Sequence, residues 1–354
     1  MPEARGLPGR LIAAALERAW RASPPPIELS AEQLNEIAPS LLGSGAGALG
    51  WWRVRNSELK ETPAGIELHE AYRRHALQSA IHESDIKQIF TLLRSGGIEP
   101  VLVKGWAAAR LYPENGLRPY GDIDLCFAAG DYPKARAILG SPEGRMFNVD
   151  SHRGLAMLDD RRLDDLLARS RLIKLGGVDV RVFAPEDELR IQSFHLLRHG
   201  AWRPLWLCDI AAMVESRAAD FDWDLCLGPR KRPADWIACT IGLAGRLLRA
   251  RIEDTPAASR AKQLPTWLTA TVLKQWETYP ALREPLTRQR AMRTYWRRPA
   301  GVLNAIYSRW PDPIAATITV KGNFNDLPRL PYQLGSVVVR LAKLLAGSAG
   351  APPA

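Results

Sequence analysis

Cysteine is scarce in this chain. Only Cys126, Cys208, Cys226 and Cys239 occur in 354 residues, and no two form a Cys-x-x-Cys pair. That spacing suggests neither a zinc site nor a disulfide framework, and a reduced, cytoplasmic setting is expected. Nor is there a window of about 18 apolar residues, so no transmembrane segment is predicted. The apolar run Leu11–Leu16 is closed at once by Glu17 and Arg18 and is too short for a signal peptide. Long basic runs are missing as well. Pro229-Arg-Lys-Arg-Pro233 is the densest, and it reads as a solvated loop rather than a nucleic-acid tail. The pair His195 and His199 lacks the neighbouring glutamate of a zinc hydrolase. No internal repeat is found. What remains is ordinary for a soluble globular protein, with 46% hydrophobic and 24% charged residues. The net charge of +10 suits polyanionic ligands such as nucleotides or RNA, but says little about fold.

The informative stretch begins at Val101-Leu-Val-Lys-Gly-Trp106. An apolar strand ends at Lys104-Gly105, as expected where a strand turns sharply into a helix with backbone amides open to a phosphate. Trp106–Tyr112 reads as that helix, stopped by Pro113. Arg118-Pro-Tyr-Gly-Asp-Ile-Asp-Leu125 follows. On a strand, Asp122 and Asp124 share one face while Ile123 and Leu125 point into a core. Two carboxylates on one face repel each other and call for a cation, and oxygen ligands suit Mg²⁺ beside substrate phosphates. Arg118, four residues before Asp122, is placed to reach phosphate oxygens.

Two segments compete to supply a third carboxylate. Asp150, in Met146–His152, lies in a short run that can pair beside the Asp122 strand. Asp179 lies in a hairpin that turns at Gly176-Gly177, where it falls on the face of Arg181 and can pair with it. Asp150 is preferred.

Lys104-Gly105, Tyr112-Pro113, Arg118 and Gly121–Leu125 resemble the signature of the uncharacterised nucleotidyltransferase family within the polymerase-β-like superfamily. The resemblance continues through Val149-Asp-Ser-His152, Leu163–Leu167, Ala184–Leu189, His195 and Leu205–Ile210, and so covers roughly residues 85 to 215. It implies a small mixed sheet carrying three carboxylates, two Mg²⁺ ions with Mn²⁺ as an alternative, and transfer of a nucleoside monophosphate from an NTP. In that frame Asp122, Asp124 and Asp150 are the catalytic and metal-holding residues, with Asp150 at the family's Asp-x-His position. Lys104, Gly105 and Arg118 bind the nucleotide, and His152, His195 and Asp209 are candidates for the acceptor pocket. One departure stands out. The superfamily's glycine is followed by a second small residue that touches the phosphates, and here Trp106 takes that place, which shifts phosphate work to Lys104.

The expected fold is α+β. It comprises an N-terminal helical region over residues 1–80, a nucleotidyltransferase core with a small mixed sheet over 81–185, and a larger helical C-terminal domain over 186–354. Pro185 suits the first turn of a helix. His195 is expected to bond Asp209 or a backbone carbonyl, and Trp202, Trp206, Trp223 and Trp236 to lie in the core. Leu334–Leu345 reads as an amphipathic helix that packs on the protein by default, with a membrane surface or a partner as the alternatives. The partners implied are an NTP and an unidentified small-molecule or protein acceptor; nucleic acid is not favoured, and the sequence does not set the oligomeric state. Two other functions stay open. One is an NTP-binding module without turnover, raised by Trp106, and the other is an RNA-directed nucleotidyltransferase, raised by the charge.

Overall fold

The computed structural model describes residues 7–155, 161–277 and 310–348. It opens with α1 (Leu7–Leu16), α2 (Ala31–Gly43) and α3 (Gly47–Val54). The start of α2 is fixed by reciprocal bonds between Ser30 and Gln33, a capping box. A long helix, α4 (Pro63–Ser95), then begins with Thr62 as its cap and Pro63 in its first turn. It runs unbroken through the position near residue 80 where the sequence suggested a boundary.

The core alternates strands and short helices: β1 (Val101–Val103), α5 (Gly105–Ala109), β2 (Ile123–Cys126), α6 (Tyr132–Leu139), β3 (Val149–His152), α7 (Leu163–Ala168), β4 (Arg171–Leu175) and β5 (Val178–Val182). The helix expected over Trp106–Tyr112 is thus shorter and starts one residue earlier. The strands form one mixed sheet in the order β3-β2-β1-β5-β4. β1 pairs antiparallel with β2 and parallel with β5, β2 pairs parallel with β3, and β4–β5 is the expected hairpin.

Alternation along β1 sends Leu102 to one side and Val101 and Val103 to the other. On the first side, Leu102, Ile123, Leu125, Val180 and Val182 pack against Ile86, Ile89, Phe90 and Leu93. These last four recur at helical spacing along α4, each burial worth about 1.5–3 kcal/mol. On the second side, Val101, Val103 and Cys126 meet Phe183 and Ile191. Asp124 lies on that second side, between Ile123 and Leu125, and so does His152.

After β5 come α8 (Pro185–Arg198), α9 (Pro204–Ser216), α10 (Trp223–Leu227), α11 (Lys231–Leu248), α12 (Ala258–Lys262), α13 (Thr266–Glu277), α14 (Pro313–Thr319) and α15 (Leu330–Ser348). Pro185 opens α8 as expected. Helices from both ends of the chain share one core, in which Ile12, Leu34, Leu41 and Leu49 meet Leu205, Ile210, Ile241 and Val272. Trp206 and Trp236 are buried in it, while Trp202 and Trp223 pack half-buried at its edge. Lys231 and Arg232, read from sequence as part of a loop, are exposed in the first turn of α11. The helical expectation for residues 278–309 and 349–354 lies outside the described residues.

The terminal helix packs on the protein as expected, but not by its apolar face. It meets the end of α14 through Tyr332, Gly335 and the buried Ser336, because glycines at 322 and 335 allow close approach. That contact uses its small and polar side, so Leu334, Val338 and Leu341 remain exposed. Among the described residues no helix is long and apolar enough to cross a membrane.

Candidate functional site

Strand register builds the site. In the parallel pair β2–β3, Asp124 stands opposite Asp150, and Cys126 opposite His152. Alternation therefore puts Asp124, Asp150 and His152 on one face, and their ligand atoms lie within 4.8 Å of one another. His152 Nε2 is 2.8 Å from Asp124 Oδ1 and 3.4 Å from Asp150 Oδ2. The Lys104 ammonium donates to the same Asp124 Oδ1 at 2.9 Å. Asp124 is buried, whereas Asp150 is exposed.

The charges explain one another. Burial pushes the Asp124 carboxyl upward, but the His152 bond and the Lys104 charge outweigh it and hold the group below the usual carboxylate range. Asp122 goes the other way. It precedes β2, is exposed by residue, and its carboxyl is not one of the three clustered groups. Burial of the carboxyl, then the Asp124 charge, raises its pKa, with Lys104 opposing. The two aspartates feel each other as expected, yet Asp124 is grouped with Asp150 and His152 across the sheet, not with Asp122 along the strand.

Lys104 sits at φ 55°, ψ −132°, a region that side-chain-bearing residues rarely adopt, and Gly105 follows at φ 27°. Such a conformation costs on the order of 1–3 kcal/mol and persists where surrounding structure imposes it. Here the turn delivers the ammonium to Asp124 at the end of β1. Trp106 lies with α4 on the opposite side of the sheet, its indole N–H donating to Glu83 at 3.2 Å. The residue that departs from the superfamily pattern therefore packs away from the carboxylates.

Asp179 is placed elsewhere. It pairs with Lys174 across the β4–β5 hairpin at 2.9 Å, not with Arg181, which turns to Glu99. The hairpin register sets Lys174 directly opposite Asp179.

Two expectations need correction. Arg118 is not offered to a ligand: it is buried and grips Asp209 through Nη2 at 2.8 Å and Nε at 3.2 Å, and its Nη1 donates to the Pro119 carbonyl. Asp209 also accepts from the Tyr112 hydroxyl at 2.8 Å. The bonds of Asp209 thus run to Arg118 and Tyr112 rather than to His195. Asp209 is fully enclosed, and an isolated carboxylate there would be costly, so it takes the nearest buried cation.

His195 instead packs its ring against Trp206 and His199, with centroids 4.4 and 4.6 Å away. Burial, then His199 and Lys104, pulls its pKa to about 3, and burial and Lys104 lower that of His199. Both imidazoles are neutral near pH 7, and both feel Lys104, so the end of α8 flanks the site. The sequence reading passed over Arg203, which opens α9 beside this pair. Its only signal there was a cation before Pro204 and three residues from Trp206.

A family model described as an uncharacterised nucleotidyltransferase matches residues 47–234, more than half of the 354. No curated protein and no solved structure matches the chain. The matched span runs from α3 into the start of α11 and takes in the whole sheet, with Lys104, Asp124, Asp150 and His152 on it. The chain belongs to the uncharacterised nucleotidyltransferase family.

Proposed function

We propose that the protein transfers a nucleoside monophosphate from an NTP to a hydroxyl of a small-molecule or protein acceptor, with a divalent metal as cofactor. The observation that carries this reading is the pairing of Asp124 with Asp150, with His152 in reach of both. Two carboxylate oxygens and one imidazole nitrogen suit a divalent ion, and the carboxylates match Mg²⁺ or Mn²⁺. The ammonium on Asp124 fits as well, because a carboxylate this buried needs a positive partner when no ion is bound.

Asp124, Asp150 and His152 would hold the metal, with Asp122 charge-coupled to Asp124 and Asp150. A metal there would neutralise phosphate charge and make the acceptor hydroxyl more acidic. Asp150, the more exposed carboxylate, accepts the hydroxyl proton. The acceptor oxygen bonds to the α-phosphorus as the bond to pyrophosphate breaks. Lys104, released from Asp124, turns to the phosphate oxygens, and Gly105 shapes the turn that presents it. The neutral His195 and His199 border the acceptor side.

The test is incubation with each of the four labelled NTPs in Mg²⁺ or Mn²⁺, reading pyrophosphate release and label on the protein or an added acceptor. Asp150→Asn is expected to lower metal-dependent turnover by about a hundredfold or more, some 2.7 kcal/mol of barrier. Asp179→Asn, which removes only a half-exposed pair with Lys174, should leave it near the wild-type rate. Equal losses in the two variants would reject the Asp124–Asp150 centre, and absence of metal-dependent NTP binding would reject the function.

A further inference from the structure

With Arg118 committed to Asp209, the nucleotide-binding set lacks the arginine that the sequence had supplied. Arg203 is a second arginine on the same side of the molecule, and its environment is different. It is the residue before α9, on the turn that follows the His195–His199 end of α8. Among the described residues its single hydrogen bond runs from Nε to the Ser44 carbonyl at 2.6 Å, and no carboxylate pairs with it. The guanidinium stands over the Trp206 ring at 5.7 Å, the same indole that borders His195 and His199.

Backbone on the far side fixes the fork. Gly45, at φ 76°, lies so close that a Cβ there would sit 2.3 Å from Arg203 Nη2. The side chain is therefore clamped between the Ser44–Gly45 turn and Trp206. Its terminal nitrogens make no hydrogen bond among the described residues. Burial, then the neighbouring Arg118, pulls its pKa down to about 10, while Asp209 and Asp122 pull the other way. Asp209 is already taken by Arg118, and Asp122 acts on Arg203 only at a distance. A guanidinium this enclosed without an anion is costly, and a planar fork whose terminal nitrogens carry no hydrogen bond matches phosphate oxygens.

We infer that Arg203 is a nucleotide-positioning residue that binds the phosphate tail of the NTP from the helical side, opposite Lys104. The inference rests on the nucleotidyl-transfer reading and deepens it. The clamp by Ser44 and Gly45 orients the fork in advance, so little side-chain freedom is lost on binding. Asp122 is charge-coupled to both cations.

The probe is inorganic tripolyphosphate with Mg²⁺, which carries the phosphate tail and no base. Calorimetric titration compares the wild type with Arg203→Met and Arg203→Lys, alongside Mg·ATP and adenosine. Loss of the guanidinium is expected to weaken tripolyphosphate and ATP together by roughly 10- to 150-fold, with adenosine unaffected. Arg203→Lys keeps a cation above Trp206 and guards against misfolding; it should still weaken tripolyphosphate, since a point charge does not reproduce the fork. Unchanged tripolyphosphate affinity in both folded variants overturns the inference. If that affinity nevertheless falls in Asp124→Asn, only the role of Arg203 fails. A wild type that binds neither tripolyphosphate nor any NTP sinks this inference and the transferase reading together.

Discussion

Asp124→Asn is expected to abolish metal-dependent transfer, by about a thousandfold or more, and to destabilise the protein even in EDTA. The loss of activity follows from removing the most buried ligand of the proposed metal, whose charge stabilisation is worth several kcal/mol. The loss of stability follows from its partners: Lys104 and His152 would face a neutral amide, leaving a half-buried ammonium without its counter-charge. Asp122→Asn should behave oppositely in the second respect. It also lowers turnover, by at least about tenfold, yet it relieves the burial cost and the repulsion by Asp124 that raise the Asp122 pKa. Its melting temperature in EDTA should hold or rise.

The pH dependence separates the two. Asp124 is held low, so its contribution is present above the unfolded value of 3.8 and is lost as pH falls through its folded pKa. Asp122 is raised, so its penalty is present at neutral pH and disappears as pH falls through its folded pKa. Against the wild type, Asp122→Asn should thus show its gain at pH 7 and lose it in acid. Thermal melts across pH in EDTA measure both signs. A stabilised Asp124→Asn would mean that Lys104 and His152 do not hold that carboxylate.

Much of the sheet was legible because its signals are local. Apolar Val101–Val103, the alternation at Ile123–Leu125 and the Gly176-Gly177 turn each fix a strand or hairpin within a few residues. The neighbours of Asp124 were harder to read. That Asp150, not Asp122, stands beside it depends on the parallel register of β2 and β3, which sequence spacing does not encode. Nor could the sequence sort its arginines. Arg118 lies near the aspartates in the chain but is pulled inward by Asp209, a residue 91 positions away on α9. Arg203 is remote in the chain and is brought alongside by the packing of α8 and α9. The unbroken α4 hid in the same way, since its face toward the sheet and its face toward the helices follow one another on a single helix.

Breaking the buried pair should have the largest effect on folding. Asp209→Asn or Arg118→Met is expected to cost about 3–5 kcal/mol, because each leaves an uncompensated charge in a site closed to water. Tyr112→Phe removes only a hydroxyl that donates to Asp209, and should cost about 1–3 kcal/mol. The double variant Arg118→Met with Asp209→Leu should recover much of the loss, since an apolar pair of similar volume carries no desolvation penalty. Urea unfolding of Arg118→Met, Asp209→Leu and the double gives the coupling directly. A phosphate-binding role for Arg118 makes the opposite forecast, with Arg118→Met as stable as the wild type and NTP affinity reduced. That outcome would return Arg118 to the nucleotide site and remove the reason for turning to Arg203. Strong coupling between Arg118 and Asp209 instead marks the pair as the bolt between the loop after α5 and helix α9, which carries the helical side of the site to the sheet.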